Sequence, residues 1–136
     1  MSRPADHLVL DALTATYGHT TAVDAVTLEI AKGELVALLG PSGCGKTTTL
    51  RMIAGFVEPA SGRILVGGQE LTRLPAHRRN IGVVFQSYAL FPHLTVIENV
   101  AFGLRMRHQP KAQRLERASA MLRMVSLEAL AERYPH

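Results

Sequence analysis

The sequence predicts an α/β fold, and three features of its pattern support this prediction. An apolar run at residues 35–39 enters a glycine-rich turn and is followed by helical periodicity. Before that run, two stretches alternate apolar and polar residues, as half-buried strands do. After Gln86 the apolar residues recur with the period of a helix. With 136 residues, of which 47% are hydrophobic and 19% charged, the chain suits a globular fold with one core.

The first third of the chain predicts antiparallel strands. Residues 8–16 and 25–30 alternate in polarity, and Tyr17, Gly18 and His19 break the pattern between them. The turn at residues 31–33 then leads into the apolar run at 35–39, which we expect to be a buried strand because it does not alternate.

A helix is expected directly after the glycine-rich turn. Leu50, Ile53 and Ala54 have the spacing of one helix face, and Gly55 stands where helices commonly end. Further on, residues 63–66 predict a short strand and residues 81–85 a second buried strand that ends at Gln86, followed by a loop at 87–94.

The last part of the chain predicts helices. Thr95 and Glu98 have the spacing of a capping box, in which each residue bonds the other's main chain. Pro110 is placed to open a second helix, and Ser126 to cap a short third one. The predicted apolar faces consist of Ile97, Val100, Ala101 and Leu104 on the first helix, and of Leu115, Ala118, Leu122 and Val125 on the second.

The glycine-rich turn carries the most specific motif in the sequence. Gly40, Gly45, Lys46 and Thr47 complete the pattern G-x-x-x-x-G-K-[ST], between a predicted strand and a predicted helix. In such a loop the main-chain amides surround phosphates, the lysine reaches the terminal phosphates, and the hydroxyl ligates Mg²⁺. The predicted nucleotide-binding residues of the loop are Gly40, Pro41, Ser42, Gly43, Cys44, Gly45, Lys46, Thr47 and Thr48.

Composition also bears on the location of the protein and on metal binding. No apolar run approaches the roughly 18 residues of a membrane span, and no leader opens the chain, so we expect a cytosolic or peripheral protein. Cys44 is the single cysteine, which fits a reducing compartment, and the six histidines lack metal-ligand spacing.

Residues 101–136 carry seven arginines and lysines against three glutamates. Since aromatic residues do not interleave with these charges, we favour a solvated helix face over a nucleic-acid surface.

The chain resembles the ATP-binding subunit of ABC transporters over essentially its whole length. Tyr17, the loop at residues 40–47 and the segment at residues 82–93 carry this resemblance. Within the family it looks most like importers of the polyamine, ferric-iron and phosphonate group, as residues 94–100 also suggest. The implied fold is a P-loop NTPase core with an N-terminal antiparallel β subdomain and the start of a helical subdomain.

The resemblance also implies roles for individual residues. Tyr17 would stack on the adenine of ATP, Lys46 would hold the terminal phosphates, Thr47 would ligate Mg²⁺, and Gln86 would sense the γ-phosphate, contact the metal and face the permease. The catalytic candidates are therefore Lys46 and Gln86, and the metal candidates are Thr47 and Gln86. Two alternatives remain open: Tyr17 as an ordinary aromatic residue at a strand end, and Gln86 as a polar residue that caps a strand.

The sequence departs from the family pattern after residue 136. Family members continue into a Leu-Ser-Gly-Gly-Gln signature, a strand that ends in an Asp-Glu pair, and a switch histidine, none of which occurs in this sequence. We therefore interpret the chain as the N-terminal portion of one ATP-binding domain, in which residues 1–33 form the antiparallel part, 34–94 the core and 95–136 the start of the helical subdomain.

The first functional hypothesis is an energy-coupling ATPase. It would pair with a second ATP-binding subunit, sit at the cytoplasmic face of the inner membrane, and drive import through a separate permease that is supplied by a solute-binding protein. The alternatives are a non-catalytic nucleotide-binding fragment or interaction module, and a DNA-repair or translation ATPase of the same superfamily. We expect the chain alone to be deficient in hydrolysis because no residue resembles the family's catalytic glutamate.

Overall fold

The computed structural model describes residues 6–136, so residues 1–5 of the predicted antiparallel part lie outside the described residues. These form two compact units, one that ends at Val83 and one at Val84–His136. The strands are β1 (Asp6–Tyr17), β2 (Thr20–Ala31), β3 (Ser61–Val66) and β4 (Gln69–Glu70), and the α-helices are α1 (Lys46–Ala54), α2 (Val96–Met106) and α3 (Lys111–Met124). Single 3₁₀ turns occur at Ala76–Arg78 and Glu128–Leu130.

The first unit is built on one antiparallel sheet with the strand order β2-β1-β3-β4. The alternating stretches at 8–16 and 25–30 lie in β1 and β2, and the short strand predicted at 63–66 lies in β3, so these predictions are confirmed. Helix α1 packs on the sheet through Met52, which joins Leu10, Leu13 and Ile64 as the largest fully buried side chains. This core fixes the helix that follows the glycine-rich loop.

An irregularity in β1 and β2 brings two alanines into the left-handed region. Ala12 has φ 47° and Ala25 has φ 44°, where alanine is strained. Two threonine hydroxyls accept hydrogen bonds from these residues: the N–H of Ala12 donates to Thr27 Oγ1 at 3.1 Å, and the N–H of Ala25 donates to Thr14 Oγ1 at 3.0 Å. The register between β1 and β2 shifts at these positions, as in a β-bulge.

The two predicted buried strands are not strands in the structure. Residues 35–39 and 81–85 pair with no other segment among residues 6–136. Leu35, Leu39 and Val84 are 97%, 91% and 96% exposed, and the other large exposed apolar side chains of these segments, Val36, Leu38, Val83 and Phe85, are 37–43% exposed. The prediction was wrong because an apolar run indicates only that burial of the segment is favourable. A strand also needs a neighbouring backbone with which to exchange hydrogen bonds.

The face that α1 buries also differs from the prediction. Thr49, Met52 and Ala54 are buried, whereas Leu50, which was expected on the apolar face, is 57% exposed. The end of the helix was predicted correctly, since Gly55 caps α1 in the left-handed conformation with φ 83°.

The second unit consists of a loop and the helices α2 and α3, and its helix starts follow the sequence. Thr95 and Glu98 form the predicted capping box at the start of α2, and Pro110 stands immediately before α3. Ala101 of α2 and Ala118 and Leu122 of α3 are buried. The expected third helix is only the 3₁₀ turn at Glu128–Leu130, which follows Leu127 without a side-chain cap, and Val125 is 59% exposed. The predictions for Ser126 and Val125 were therefore wrong.

Candidate functional site

The glycine-rich loop ends where α1 begins, at Lys46. Gly45 is the N-cap residue of α1, and no side chain caps the start of the helix. The first turn also contains no acidic residue. Main-chain N–H groups of a first helical turn have no partners within the helix, and the helix dipole makes this end partly positive. The loop and the start of α1 therefore form a favourable place for an anion.

Strand β2 holds the loop in position through Gly45. A Cβ at Gly45 would overlap the carbonyl oxygen of Ala22 and lie 3.0 Å from Cγ2 of Val23. Gly45 also has φ +88°, a conformation that residues with a Cβ rarely adopt. Val23 belongs to the hydrophobic core. The close approach of the loop to the sheet thus requires glycine at this position.

A cavity of about 310 Å³ opens beside the loop. Its lining consists of Ala22, Ser42, Gly43, Cys44, Gly45, Lys46, Thr47 and Thr48. None of these lining residues is acidic, so the cavity suits a negatively charged ligand. Ala22 was missed by the sequence analysis, because a small residue in a strand carries no local signal that a loop distant in sequence will approach it.

The side chain of Lys46 lies along its own loop. Its Nζ donates hydrogen bonds to the carbonyl oxygens of Gly40 at 2.7 Å and Pro41 at 2.6 Å, and it lies 3.3 Å from Sγ of Cys44. Gly40 and Pro41 do not line the cavity. Their carbonyl groups contact the predicted nucleotide-binding residues through these hydrogen bonds from Lys46. Cys44 is a free and exposed cysteine. The loop therefore holds one ammonium group within reach of the cavity.

The two remaining candidates lie outside this cluster. Tyr17 is the last residue of β1, is 50% exposed, and does not line the cavity. Gln86 is exposed and belongs to the second unit. The structure thus brings Gly40–Thr48 together with Ala22, and the roles of Tyr17 and Gln86 stay predictions.

Among residues 6–136, no group of three or more His, Cys, Asp or Glu side chains is arranged to hold a metal ion. None of the helices in the described part of the chain is long and apolar enough to cross a membrane.

Comparison with known proteins gives the same family from sequence and from structure. The sequence profile described as ABC transporter matches residues 23–136. The chain is 50% identical over 135 residues to a Salmonella typhimurium protein named as a 2-aminoethylphosphonate import ATP-binding protein, PhnT. It is 51% identical over 126 residues to the spermidine/putrescine import ATP-binding protein PotA of Aggregatibacter actinomycetemcomitans, and 50% identical over 128 residues to the Fe(3+) ions import ATP-binding protein FbpC of Agrobacterium fabrum.

The structure is similar to that of the ATP-binding cassette MJ0796, solved as a dimer in a post-hydrolysis state with ADP and Pi. The TM-score is 0.82 at 32% identity, and the match covers 94% of this chain and 61% of the cassette. The three sequence matches cover 99%, 93% and 94% of this chain but only 37%, 34% and 36% of the relatives. The chain therefore spans about a third of the length of these relatives. On the family profile, the sequence identities and the shared fold, the chain belongs to the ABC transporter family, of whose ATP-binding domain it has a partial N-terminal fold.

Proposed function

We propose that the chain is the ATP-binding part of an energy-coupling subunit of an ABC import system. The observation that carries this proposal is the cavity at the start of α1, which is lined by the phosphate-loop motif and by no acidic side chain. Relatives named as import ATP-binding proteins support a role in import over one in DNA repair or translation.

The geometry suggests how ATP would be held. The N–H groups of the loop and of the first turn of α1 would donate hydrogen bonds to the phosphates, and Lys46 would exchange its carbonyl partners for phosphate oxygens. Tyr17 would stack on adenine. Mg²⁺, which neutralises phosphate charge when bound, usually takes few protein ligands and several from phosphate and water. The Thr47 hydroxyl at the cavity would be one of these protein ligands. The family resemblance, and not the geometry, is the reason to propose the Gln86 side-chain oxygen as the other.

The segment around Gln86 is proposed to contact the membrane permease subunits. Tyr88 is 81% exposed and Leu90 is 53% exposed, so this loop presents apolar side chains outward. Tyr88 and Ala89 have φ 63° and 49°, and a hydrogen bond of 3.0 Å from the Tyr88 N–H to the Phe85 carbonyl stabilises the turn. Such strained and exposed segments are common at binding sites.

The remaining parts of the proposal concern the assembly. In the longer form of such a protein, a second ATP-binding subunit would complete a dimer at the cytoplasmic face of the inner membrane, and a separate solute-binding protein would deliver the substrate. We propose that the 136-residue chain itself binds ATP but hydrolyses it only at background rate. No carboxylate lines the described cavity, and loss of groups that position the attacking water typically lowers the rate by orders of magnitude.

The proposal is tested by ATP binding to the chain and to Lys46→Ala, measured by isothermal titration calorimetry. We expect the substitution to abolish detectable binding because the ammonium group at the loop is lost. Lys32→Ala is the matched control, since Lys32 is exposed in the turn after β2, and it should bind as the wild type does. Equal affinity of Lys46→Ala and wild type would overturn the phosphate-loop assignment. Phosphate release above background that Lys46→Ala abolishes would overturn the proposed lack of hydrolysis.

A further inference from the structure

Arg79 is a buried arginine whose hydrogen bonds all go to main-chain oxygens. Arg79 comes directly after the 3₁₀ turn at Ala76–Arg78 in the sequence, and it is only 6% exposed. The guanidinium donates from Nε to the carbonyl of Leu74 at 2.7 Å and from Nη2 to that of Thr72 at 2.9 Å. It also donates from Nη1 to the carbonyls of Met52 at 2.7 Å and Ile53 at 3.0 Å. These four bonds use most of the five donors of the group.

Two of these acceptors belong to the last turn of α1. Carbonyl groups at the end of a helix form the negative end of its dipole and lack the partners that carbonyls inside the helix have. Here the Met52 carbonyl also accepts the N–H of the cap residue Gly55 at 3.1 Å. A cation there satisfies the carbonyls and interacts favourably with the dipole. Burial lowers the pKa of Arg79. A guanidinium nevertheless stays protonated in proteins, so the carbonyls face a permanent positive charge.

The end of α1 is also shaped around this side chain. Gly55 has φ +83°, and a Cβ at Gly55 would lie 2.5 Å from Nε of Arg79 and 3.0 Å from the main-chain nitrogen of Ala76. Glycine is thus required both by the backbone conformation and by the approach of the guanidinium. The close fit fixes the C-terminal end of α1 relative to residues 72–79.

The other end of α1 is the phosphate loop. The helix has nine residues and is about 13 Å long at 1.5 Å per residue, too short to be stable without tertiary contacts. The N-cap residue Gly45 fits against β2, Met52 packs in the core, and Arg79 holds the last turn. With both ends held, the helix cannot tilt without breaking contacts at one of them.

We propose that Arg79 is a positioning residue for the phosphate site: by holding the C-terminal end of α1, it sets the placement of Lys46, Thr47 and Thr48 at the other end. This inference rests on the proposed function, because it assumes that these residues bind phosphate. Arg79 itself does not line the cavity.

The test uses Arg79→Met, which removes the guanidinium but keeps an apolar stem, and Arg79→Lys, which keeps the charge but loses the fork of donors. Arg78→Met is the matched control, because the neighbouring Arg78 is exposed. Affinities for ATP and for inorganic tripolyphosphate are measured by calorimetry. Exchange of main-chain amide hydrogens is followed separately in α1 and in the β1–β2 pair.

We expect Arg79→Met to weaken both ligands by the same factor, roughly ten- to hundredfold, because misplaced phosphate contacts affect ATP and tripolyphosphate alike. Arg79→Lys should fall between Arg79→Met and wild type, and Arg78→Met should match wild type. Amide exchange should accelerate in α1 while the β1–β2 pair keeps its protection, which separates a positioning role from a general loss of folding.

Wild-type affinity for both ligands in Arg79→Met, with faster exchange in α1, would overturn the inference and leave the proposed function intact. Faster exchange across the whole first unit in Arg79→Met and also in Arg79→Lys would overturn it too, since Arg79 would then be needed for the fold as a whole. A wild-type chain that binds neither ligand would overturn the proposed function and this inference together.

Discussion

At the scale of single residues, Gly45 is the position where the loop tolerates least change. Gly45→Ala should abolish or strongly weaken ATP binding, because the added Cβ would overlap the Ala22 carbonyl and displace the loop from β2. Gly43→Ala is a close control: Gly43 has φ +82°, nearly the same as the +88° of Gly45, but nothing lies within 4 Å of its added Cβ. Both substitutions introduce similar backbone strain, and only one introduces an overlap. Equal ATP affinities of the two variants in calorimetry would contradict this explanation.

Tyr17 gives a second prediction at the residue scale. Tyr17 is half-exposed at the end of β1. Ala22, which lines the cavity, follows five residues later in the sequence, in β2. If the ring stacks on adenine, Tyr17→Ala should weaken ATP more than tripolyphosphate, since only ATP carries a base. Tyr17→Phe should restore ATP affinity because stacking needs the ring and not the hydroxyl. A uniform loss for both ligands would favour the alternative in which Tyr17 is an ordinary strand-end aromatic residue.

At the scale of elements, the start of α2 should depend on pH through Glu98. Its carboxylate accepts hydrogen bonds from the Thr95 N–H at 2.9 Å and the Thr95 hydroxyl at 3.2 Å, and these bonds lower the pKa of Glu98. A carboxyl with a lowered folded-state pKa stabilises the folded state above its unfolded-state pKa, and this contribution is lost as pH falls through the folded value. We therefore expect the protection of α2 amides from exchange to decrease in acid.

The matched variant is Glu98→Gln, which keeps a side-chain oxygen for the capping box but cannot titrate. Protection of the α2 amides, taken relative to their intrinsic exchange rates at each pH, should then lose most of its dependence on pH in the acidic range, whereas protection in α3 should be the same in variant and wild type. An unchanged acid dependence of α2 in Glu98→Gln would assign the effect to another group.

At the scale of the whole molecule, the exposed apolar segments predict self-association. Leu35, Leu39 and Val84 are each more than 90% exposed, and the segments that carry them belong to no strand. Such segments pair readily with those of other molecules. Light scattering after size-exclusion chromatography should therefore show association that increases with concentration, and Leu35→Lys combined with Val84→Lys should reduce it. A monodisperse monomer at high concentration would contradict this prediction.

The sequence by itself determined the features that depend on neighbours along the chain. Alternation in polarity located β1 and β2, the spacing of Thr95 and Glu98 located the start of α2, and Gly55 marked the end of α1. The phosphate-loop motif likewise indicated most of the residues that line the cavity, all except Ala22. These features could be predicted because turns, caps and strand alternation are set by residues a few positions apart.

Only the tertiary structure decided which segments are covered and what approaches the loop. It left residues 35–39 and 81–85 without strand partners, placed Ala22 at the cavity, and buried Arg79 against the last turn of α1. Hydrophobic periodicity identifies residues that share a face, but burial and strand pairing require a second surface whose position depends on the path of the whole chain. A basic residue such as Arg79 normally indicates a solvated position, and only the four carbonyls that converge on it make its burial favourable.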